Sequence, residues 1–360
     1  MSDKPHIEKV AERFGKPIGR PNSPAIRKII ECAMTDEEAR FLLDLPCPKA
    51  DLAAKWSMTE EDLDAKLLAL ARRGLVVSSR KGMRLPGDLT TLHDNILASA
   101  RDQIPAGIDR YWRELYDNEG WVNDIGNFLG NLPMTAIRTI PVLGSVRPDT
   151  TTLSPHEDIE AIIRAHADLI SIRECCCRTA ARKCEHPNDV CMQFGRRAEY
   201  DLYRGSGRKV SADEAIAIAK RAGDSGLVPT VTNSSNVMGL DFICFCCGCC
   251  CLVINPGLHV GKLDNVLAPS RFVATVHECD ACGDCLKQCC VDAIELQEGS
   301  EVAVIDRAKC LGCGACVPAC KTDAPITLDV VRPPEFIPAS FSGPSVVGHM
   351  QDAAGTGGAA

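Results

Sequence analysis

The chain has 360 residues, with 48 acidic and 40 basic side chains and a formal net charge of −8. At roughly 150 residues per domain, this length predicts two or three domains. Hydrophobic residues make up 45% of the chain, which is enough to bury a core and excludes a disordered protein. The acidic balance argues against a protein that mainly binds nucleic acid.

Residues 1–90 are predicted to form a docking domain of small helices followed by a hairpin. Helices are predicted to begin at Thr35 and Thr59, each followed by acidic residues, and a further helix is predicted over 48–56. A two-stranded wing is predicted over 75–85. Together these elements resemble a winged helix-turn-helix domain, which implies a DNA-binding regulator as one interpretation.

The charge of the third predicted helix argues against DNA binding. In a winged helix this helix meets base edges with its N-terminal residues. Here it begins with Glu60, Glu61 and Asp62, and adds Asp64. Four carboxylates would repel the phosphates of a nucleic acid. The sequence therefore favours docking to a protein.

Residues 91–265 are predicted to form a helical and cysteine-rich α/β domain, with a strand over 139–146 and a helix over 155–170. The stretch 242–261 contains no charged side chain, but thiolates on a metal would not lie in lipid, so the chain is predicted not to span a membrane. No apolar signal segment is found at the N-terminus. Together with reduced thiolates, this predicts a cytoplasmic protein.

Cysteine is the outlier of the composition, because 20 of the 22 cysteines lie between Cys175 and Cys320. Such clustering excludes a uniform disulfide scaffold and predicts metal or redox cofactors. The clearest pattern is a repeat of C-x2-C-x2-C-x3-C. Its two runs are Cys279, Cys282, Cys285 and Cys289, then Cys310, Cys313, Cys316 and Cys320. A similar strand is predicted after each run, over 292–296 and 323–328.

This repeat resembles the bacterial ferredoxin with two [4Fe–4S] clusters, over about residues 277–330, and implies a ferredoxin-like di-cluster domain over 266–334. In that family the last cysteine of each run ligates the other cluster. The resemblance thus implies one cluster on Cys279, Cys282, Cys285 and Cys320, and a second on Cys310, Cys313, Cys316 and Cys289. Cys290 and Lys321 stand where the family has proline, and Cys290 is either a spare thiol or an alternative ligand. Zinc in four-cysteine sites is the less favoured alternative.

A second set of eleven cysteines precedes the repeat. It consists of Cys175-Cys176-Cys177-Arg178, then Cys184 and Cys191, then the run 244–251. The arrangement resembles Cys-rich 4Fe–4S binding proteins of anaerobic bacteria. Their pattern is C-x-C-R, two further cysteines, a helix ending in Gly-Leu-Val, and C-N-C-C-x-C-C-C. With the two flanking domains the resemblance covers most of the chain, and it implies architecture more than activity.

One or more further iron–sulfur clusters are expected in residues 175–251. The predicted ligands are Cys175, Cys177, Cys184, Cys191, Cys244, Cys246, Cys247, Cys249, Cys250 and Cys251. One cubane needs four ligands and two need eight, so eleven cysteines leave some spare. Adjacent cysteines cannot all point the same way, so part of each run must pack or ligate elsewhere. A larger non-cubane cluster and a structural zinc knot are the alternatives.

No dinucleotide-binding glycine motif, P-loop or nucleophile elbow is found, and no catalytic residue is predicted. The sequence therefore predicts an α+β, multi-cluster iron–sulfur protein that relays low-potential electrons to or from an oxidoreductase or carrier protein. The alternatives are a redox-sensing winged-helix regulator and a reductase with an open-site cluster in residues 175–251, so whether the chain is an enzyme stays open. Residues 335–360 are predicted to be a flexible or extended tail.

Overall fold

The structure is a computed structural model that describes residues 3–79, 81–147, 153–297, 302–322 and 326–339. It mixes helices with sheet, which is compatible with the predicted α+β class. The first helices are α1 (Pro5–Gly15), α2 (Pro24–Ala33), α3 (Asp36–Leu43), α4 (Lys49–Lys55) and α5 (Glu60–Arg72). An antiparallel hairpin of β1 (Val77–Ser79) and β2 (Gly82–Arg84) follows.

The predicted helix starts are present, because Thr35 caps α3 and Thr59 caps α5 through their side-chain oxygens. Helices α6 (Leu89–Leu97), α7 (Ile108–Arg113) and α8 (Trp121–Gly130) come next and share one apolar core with α1–α5. That core also contains Cys176 and Leu252 from the cysteine-rich part. The assignment of residues 1–90 to a winged-helix domain stays a prediction.

An extended sheet supports the cysteine-rich part. Its strands are β3 (Ile137–Thr139), β4 (Ile170–Arg173), β5 (Cys191–Phe194), β6 (Gly207–Val210), β7 (Val228–Thr232), β8 (Phe242–Cys246) and β9 (Leu267–Ala268). Within the described residues the order is β6-β4-β5-β8-β7-β3-β9, with only the β3–β9 pair parallel. The helices along this stretch are α9 (Ile159–Ala165), α10 (Cys176–Ala181), α11 (Gly195–Arg204), α12 (Ala212–Asp224), α13 (Ile254–His259) and α14 (Leu263–Val266).

Two predicted elements of this part were wrong in their bounds. The strand expected over 139–146 is β3, which ends at Thr139. Beyond it the Val142 N–H donates to the Cys313 carbonyl at 2.8 Å, outside the sheet. The helix expected over 155–170 is α9 and ends at Ala165. Ile170 instead begins β4, where pairing with β5 and β6 on both sides satisfies its backbone.

The C-terminal part is built from β10 (Phe272–Thr275), α15 (Asp284–Gln288), β11 (Ile294–Leu296), β12 (Ala303–Ile305) and β13 (Thr327–Val330). Strand β10 pairs with β13, and β11 pairs with β12, both antiparallel. The strand expected over 292–296 is β11. Of the strand expected over 323–328, the first three residues lie outside the described part and the last two belong to β13. Most of the predicted tail, 340–360, also lies outside it.

Among the described residues, no helix has the length and apolar character needed to cross a bilayer. The uncharged stretch 242–261 is divided between β8, a cysteine-containing turn and α13. Its apolar character therefore reflects burial of a strand and a short helix inside the protein.

Candidate metal centres

The eight thiols of the repeat lie in two neighbouring sets. Cys285 interacts electrostatically with Cys279, Cys320 and Cys282. Cys316 does so with Cys313, Cys310 and Cys289, and less strongly with Cys285 of the first set. The chain thus places the last cysteine of each run beside the other run, which is the grouping that the ferredoxin resemblance implies. Ligation of clusters by these sets stays a prediction.

Backbone N–H groups point at several of these sulfurs. Cys279 Sγ accepts from Ala281 and Ala303 at 3.4 and 3.3 Å. Cys289 Sγ accepts from Ala293 at 3.2 Å, and Cys310 Sγ accepts from Gly312 at 3.4 Å. Hydrogen bonds to sulfur stabilise thiolates and help to set the potential of a thiolate-ligated cluster. These thiols and their backbone hydrogen-bond donors therefore fit the predicted [4Fe–4S] clusters.

A narrow pocket adjoins the second set of thiols. It is lined by residues of 288–294 and 310–316, among them Cys289, Cys310, Cys313 and Cys316. The loop that carries the last three approaches β10 closely. Gly312 has φ 63°, and a Cβ there would lie 2.0 Å from the Phe272 carbonyl oxygen. Only glycine allows this approach.

The eleven cysteines of residues 175–251 separate into two groups. Cys184, Cys247, Cys249 and Cys250 form a compact group, the quartet, in which all sulfurs lie within 4.8 Å of one another. Cys184 Sγ is 3.9 Å from Cys247 Sγ and 3.7 Å from Cys250 Sγ, and Cys249 Sγ is 3.6 Å from Cys250 Sγ. The neighbouring Cys250 thiol lowers the pKa of the Cys247 thiol to about 5.

The other seven cysteines form a more open group, the septet, which comprises Cys175, Cys176, Cys177, Cys191, Cys244, Cys246 and Cys251. The Cys177 thiol lies near those of Cys175, Cys176 and Cys251, which raise its pKa. The Cys246 thiol lies near those of Cys244 and Cys251, and the Cys244 thiol also lies near that of Cys191. The septet is therefore one continuous set of buried and half-buried thiols that adjoins the quartet.

The pleat of β8 explains this separation. Successive side chains of a strand point to opposite faces, so Cys244 and Cys246 share one face while Phe245 packs into the core on the other. The register of β5 with β8 pairs Met192 with Ile243, which places Cys191 opposite Cys244. After β8 the chain turns, and Cys247, Cys249 and Cys250 pack against the core that contains Phe245, whereas Cys251 returns to the Cys246 side.

Two arginines lie beside these thiols, of which Arg178 is buried and Arg173 is half-buried. Burial by itself would lower the pKa of Arg178, but the side chains of Cys175, Cys247 and Cys246 raise it above its usual value. Burial likewise opposes the charge of Arg173, but Asp201 and the side chains of Cys191 and Cys176 raise its pKa. Arg178 also donates to the Phe245 carbonyl at 2.8 Å, which fixes it at the end of β8. These cations offset the negative charge of a thiolate-bound metal.

Cys290, the odd thiol of the sequence, lies where the two cysteine regions meet. Burial raises its pKa well above the usual value, and it interacts with Cys313 and Cys289 on one side and with Cys247 and Cys251 on the other. The backbones are in close contact there, since a Cβ on Gly248 would lie 2.3 Å from the Cys290 carbonyl oxygen. The ferredoxin-like part and the run 244–251 therefore touch without an intervening layer.

Cys176 was not among the predicted ligands. It is buried, and its thiol donates to Asp94 Oδ1 at 3.3 Å. His93 and Asp94 lie with it in a second compact group of potential ligand atoms. The sequence did not indicate this group, because His93 is a single histidine on the apolar helix α6 and Cys176 is distant from it in sequence.

A pocket adjoins both the quartet and the septet. It lies between the aromatic side chains of α7 and α8 and the thiols, and Cys177, Cys249 and Cys250 line it. His93 and Tyr116 also line it, with the Tyr116 hydroxyl donating to Asn255 Oδ1 at 2.8 Å. The aromatic residues of 111–121 thus cover the cysteine sites as well as packing the core.

Comparison with known families supports an iron–sulfur role for the C-terminal part. A family model described as a 4Fe-4S dicluster domain matches residues 278–324. This segment is similar to 4Fe-4S dicluster domains. All eight cysteines of the repeat lie inside it, so the match and the clustered thiols together support binding of 4Fe–4S cofactors. No curated protein and no solved structure matches the chain.

Proposed function

We propose that this protein is a multi-cluster iron–sulfur electron-transfer protein that relays low-potential electrons to or from a partner oxidoreductase or carrier protein. Two [4Fe–4S] clusters in the ferredoxin-like part and at least one cluster on the septet would supply one-electron storage. The observation that carries the proposal is the contact at Cys290, because it brings the second set of ferredoxin-type thiols against Cys247 and Cys251.

The chain's own groups would tune and protect this path. Backbone N–H groups at Cys279, Cys289 and Cys310 stabilise thiolates at the ferredoxin-like end. Arg173 and Arg178 do so beside the septet, where cations favour the more reduced state of an anionic centre. Cys282 is exposed, which makes the first set of thiols the proposed contact point for a protein partner.

We further propose that the N-terminal elements dock a protein and not DNA. The N-terminal turn of α5 presents Glu60, Glu61 and Asp62 to solvent, and Asp64 is also exposed. Lys49 is already paired with Asp64 and Glu60, at 2.7 and 3.4 Å. An acidic surface of this kind repels phosphate. A cytoplasmic location is proposed because the proposed cluster ligands are thiolates, which stay reduced in that compartment.

The first test is the metal content of the protein purified without oxygen. Two cubanes alone require about eight irons and about eight sulfides per chain, and a cluster on the septet raises both counts. EPR spectra of the fully reduced protein should show magnetic coupling between centres on the two sides of Cys290. Fewer than about eight irons would contradict the two-cubane part of the proposal.

Gly248 provides the matched test of the contact. In Gly248→Ala, the added methyl group must displace the Cys290 carbonyl, so the coupling should weaken while iron and sulfide counts stay unchanged. Gly239→Ala is the control, since its nearest neighbour, Asn236 Nδ2, would lie at an ordinary 3.5 Å. Equal spectra for both variants and the parent would mean that the contact does not lie on the path.

A reductase is the second candidate, and the pocket between the thiols and the aromatic side chains favours it because Cys177 of the septet lines its wall. A small substrate there would lie beside His93 and Tyr116, which offer a ring nitrogen and a hydroxyl. We expect cyanide, as a probe of an open iron position, to change the EPR signal of the septet centre and not those of the ferredoxin-like part. Unchanged signals would leave electron transfer as the function.

A further inference from the structure

The quartet is more compact than the thiols of the predicted cubanes. Its four sulfurs lie within 4.8 Å of one another, and three of the sulfur pairs are separated by only 3.6 to 3.9 Å. Within the described part of the chain, the eight thiols of the ferredoxin-like part form no group of this kind. The same structure therefore contains two different thiol geometries.

These distances match a single tetrahedral ion. Thiolates at about 2.3 Å from a tetrahedral metal are separated from one another by about 3.8 Å. In a cubane each thiolate binds a different iron at a separate corner of the cube, so the four sulfurs surround a larger body and stand farther apart. The quartet leaves room for one ion at its centre and not for a four-iron cube.

We propose that Cys184, Cys247, Cys249 and Cys250 hold one tetrahedrally coordinated metal ion, with zinc the ion that fits best. Four thiolates and no open position are typical of structural zinc sites. The proposal does not depend on electron transfer, because the ion would link the loop before β5, which carries Cys184, to the turn after β8. An ion at this point holds both chain segments that also supply the septet.

The charge around the quartet agrees with this assignment. Four thiolates and one divalent ion carry a net charge of −2. The Arg178 guanidinium lies beside Cys247, and the Lys183 backbone lies beside Cys250. Cys247 and Cys250 are buried while Cys184 and Cys249 are half-buried, so the ion would lie just below the surface, where it can exchange during folding.

The proposal also reduces the number of cysteines available for iron. With the quartet assigned to one ion, the septet remains for iron–sulfur chemistry, enough for one four-thiolate cluster with spare thiols. Residues 175–251 would then hold one structural ion and one cluster in place of two cubanes.

The full-length protein, purified without oxygen, allows a test that needs no variant. We expect about one zinc per chain, and zinc X-ray absorption should show a shell of about four sulfurs at about 2.3 Å with no neighbouring metal. A zinc-free protein whose iron and sulfide are equal in number would overturn the proposal. So would zinc surrounded mainly by oxygen or nitrogen.

Variants then locate the ion. Cys249→Ser should remove about one zinc per chain and leave iron and sulfide unchanged, whereas Cys246→Ser should reduce iron and sulfide together and retain the zinc. Cys47→Ser, at a half-buried cysteine of the N-terminal core, is the control and should change neither. Loss of about four irons and their sulfide in Cys249→Ser would show a cubane and overturn the assignment. Loss of one iron without sulfide would support the single-ion site and assign iron to it.

Discussion

Cys282→Ala should remove about four irons and about four sulfides from the protein and abolish one ferredoxin-type EPR signal. Cys282 is the exposed member of the first set of thiols, so its removal deletes a predicted ligand without opening the core. The second set around Cys316 and the septet keep all their thiols. Iron, sulfide and EPR measurements on protein purified without oxygen would check this result.

The outcome distinguishes three situations. Cys47→Ser should match the parent, because Cys47 belongs to the N-terminal core. Unchanged iron in Cys282→Ala would contradict the ligand assignment. Loss of every signal together, with a changed circular dichroism spectrum, would mean that the first cluster is needed for the fold of the whole chain.

Glu157→Gln should lower the free energy of unfolding by about 3–5 kcal/mol, because it leaves a buried cation without its partner. Both Glu157 and Arg271 are buried, and the carboxylate accepts two hydrogen bonds from the guanidinium at 2.9 Å each. Glu157 precedes α9, and Arg271 precedes β10. The pair therefore links the turn before α9 to the ferredoxin-like part, and its loss should release iron at lower temperature.

Glu160→Gln is the matched control for that prediction. Glu160 pairs with Arg164 on the surface of α9, at 2.7 Å and with both side chains about half exposed. Such an exposed pair contributes little to stability because solvent screens it, so thermal unfolding followed by circular dichroism and by visible absorbance should hardly change. Similar decreases in unfolding free energy in both variants would mean that Arg271 reaches solvent when Glu157 is neutralised. The Glu157–Arg271 pair would then not hold the middle part and the ferredoxin-like part together.

Local patterns predicted the elements whose signals lie within a few residues. Thr35 and Thr59, each followed by acidic residues, correctly predicted the beginnings of α3 and α5, because a capping threonine accepts hydrogen bonds from backbone groups two or three positions away. The strand over 139–146 and the helix over 155–170 were wrong for the opposite reason. Ile170 satisfies its backbone with strands that lie about twenty to forty residues farther along the chain, and no periodicity within the segment reports that pairing.

The sequence by itself determined the repeat of eight cysteines, because the spacing C-x2-C-x2-C-x3-C places three ligands in one tight loop and needs only one from the other run. The family match over residues 278–324 rests on the same local spacing. Only the tertiary structure decided how the other eleven divide. Cys184 and Cys191 are seven residues apart, yet one joins the quartet and the other lies opposite Cys244. The group that each cysteine joins depends on the register of β5 with β8 and on the turn after Cys246. These are long-range features that spacing along the chain does not encode.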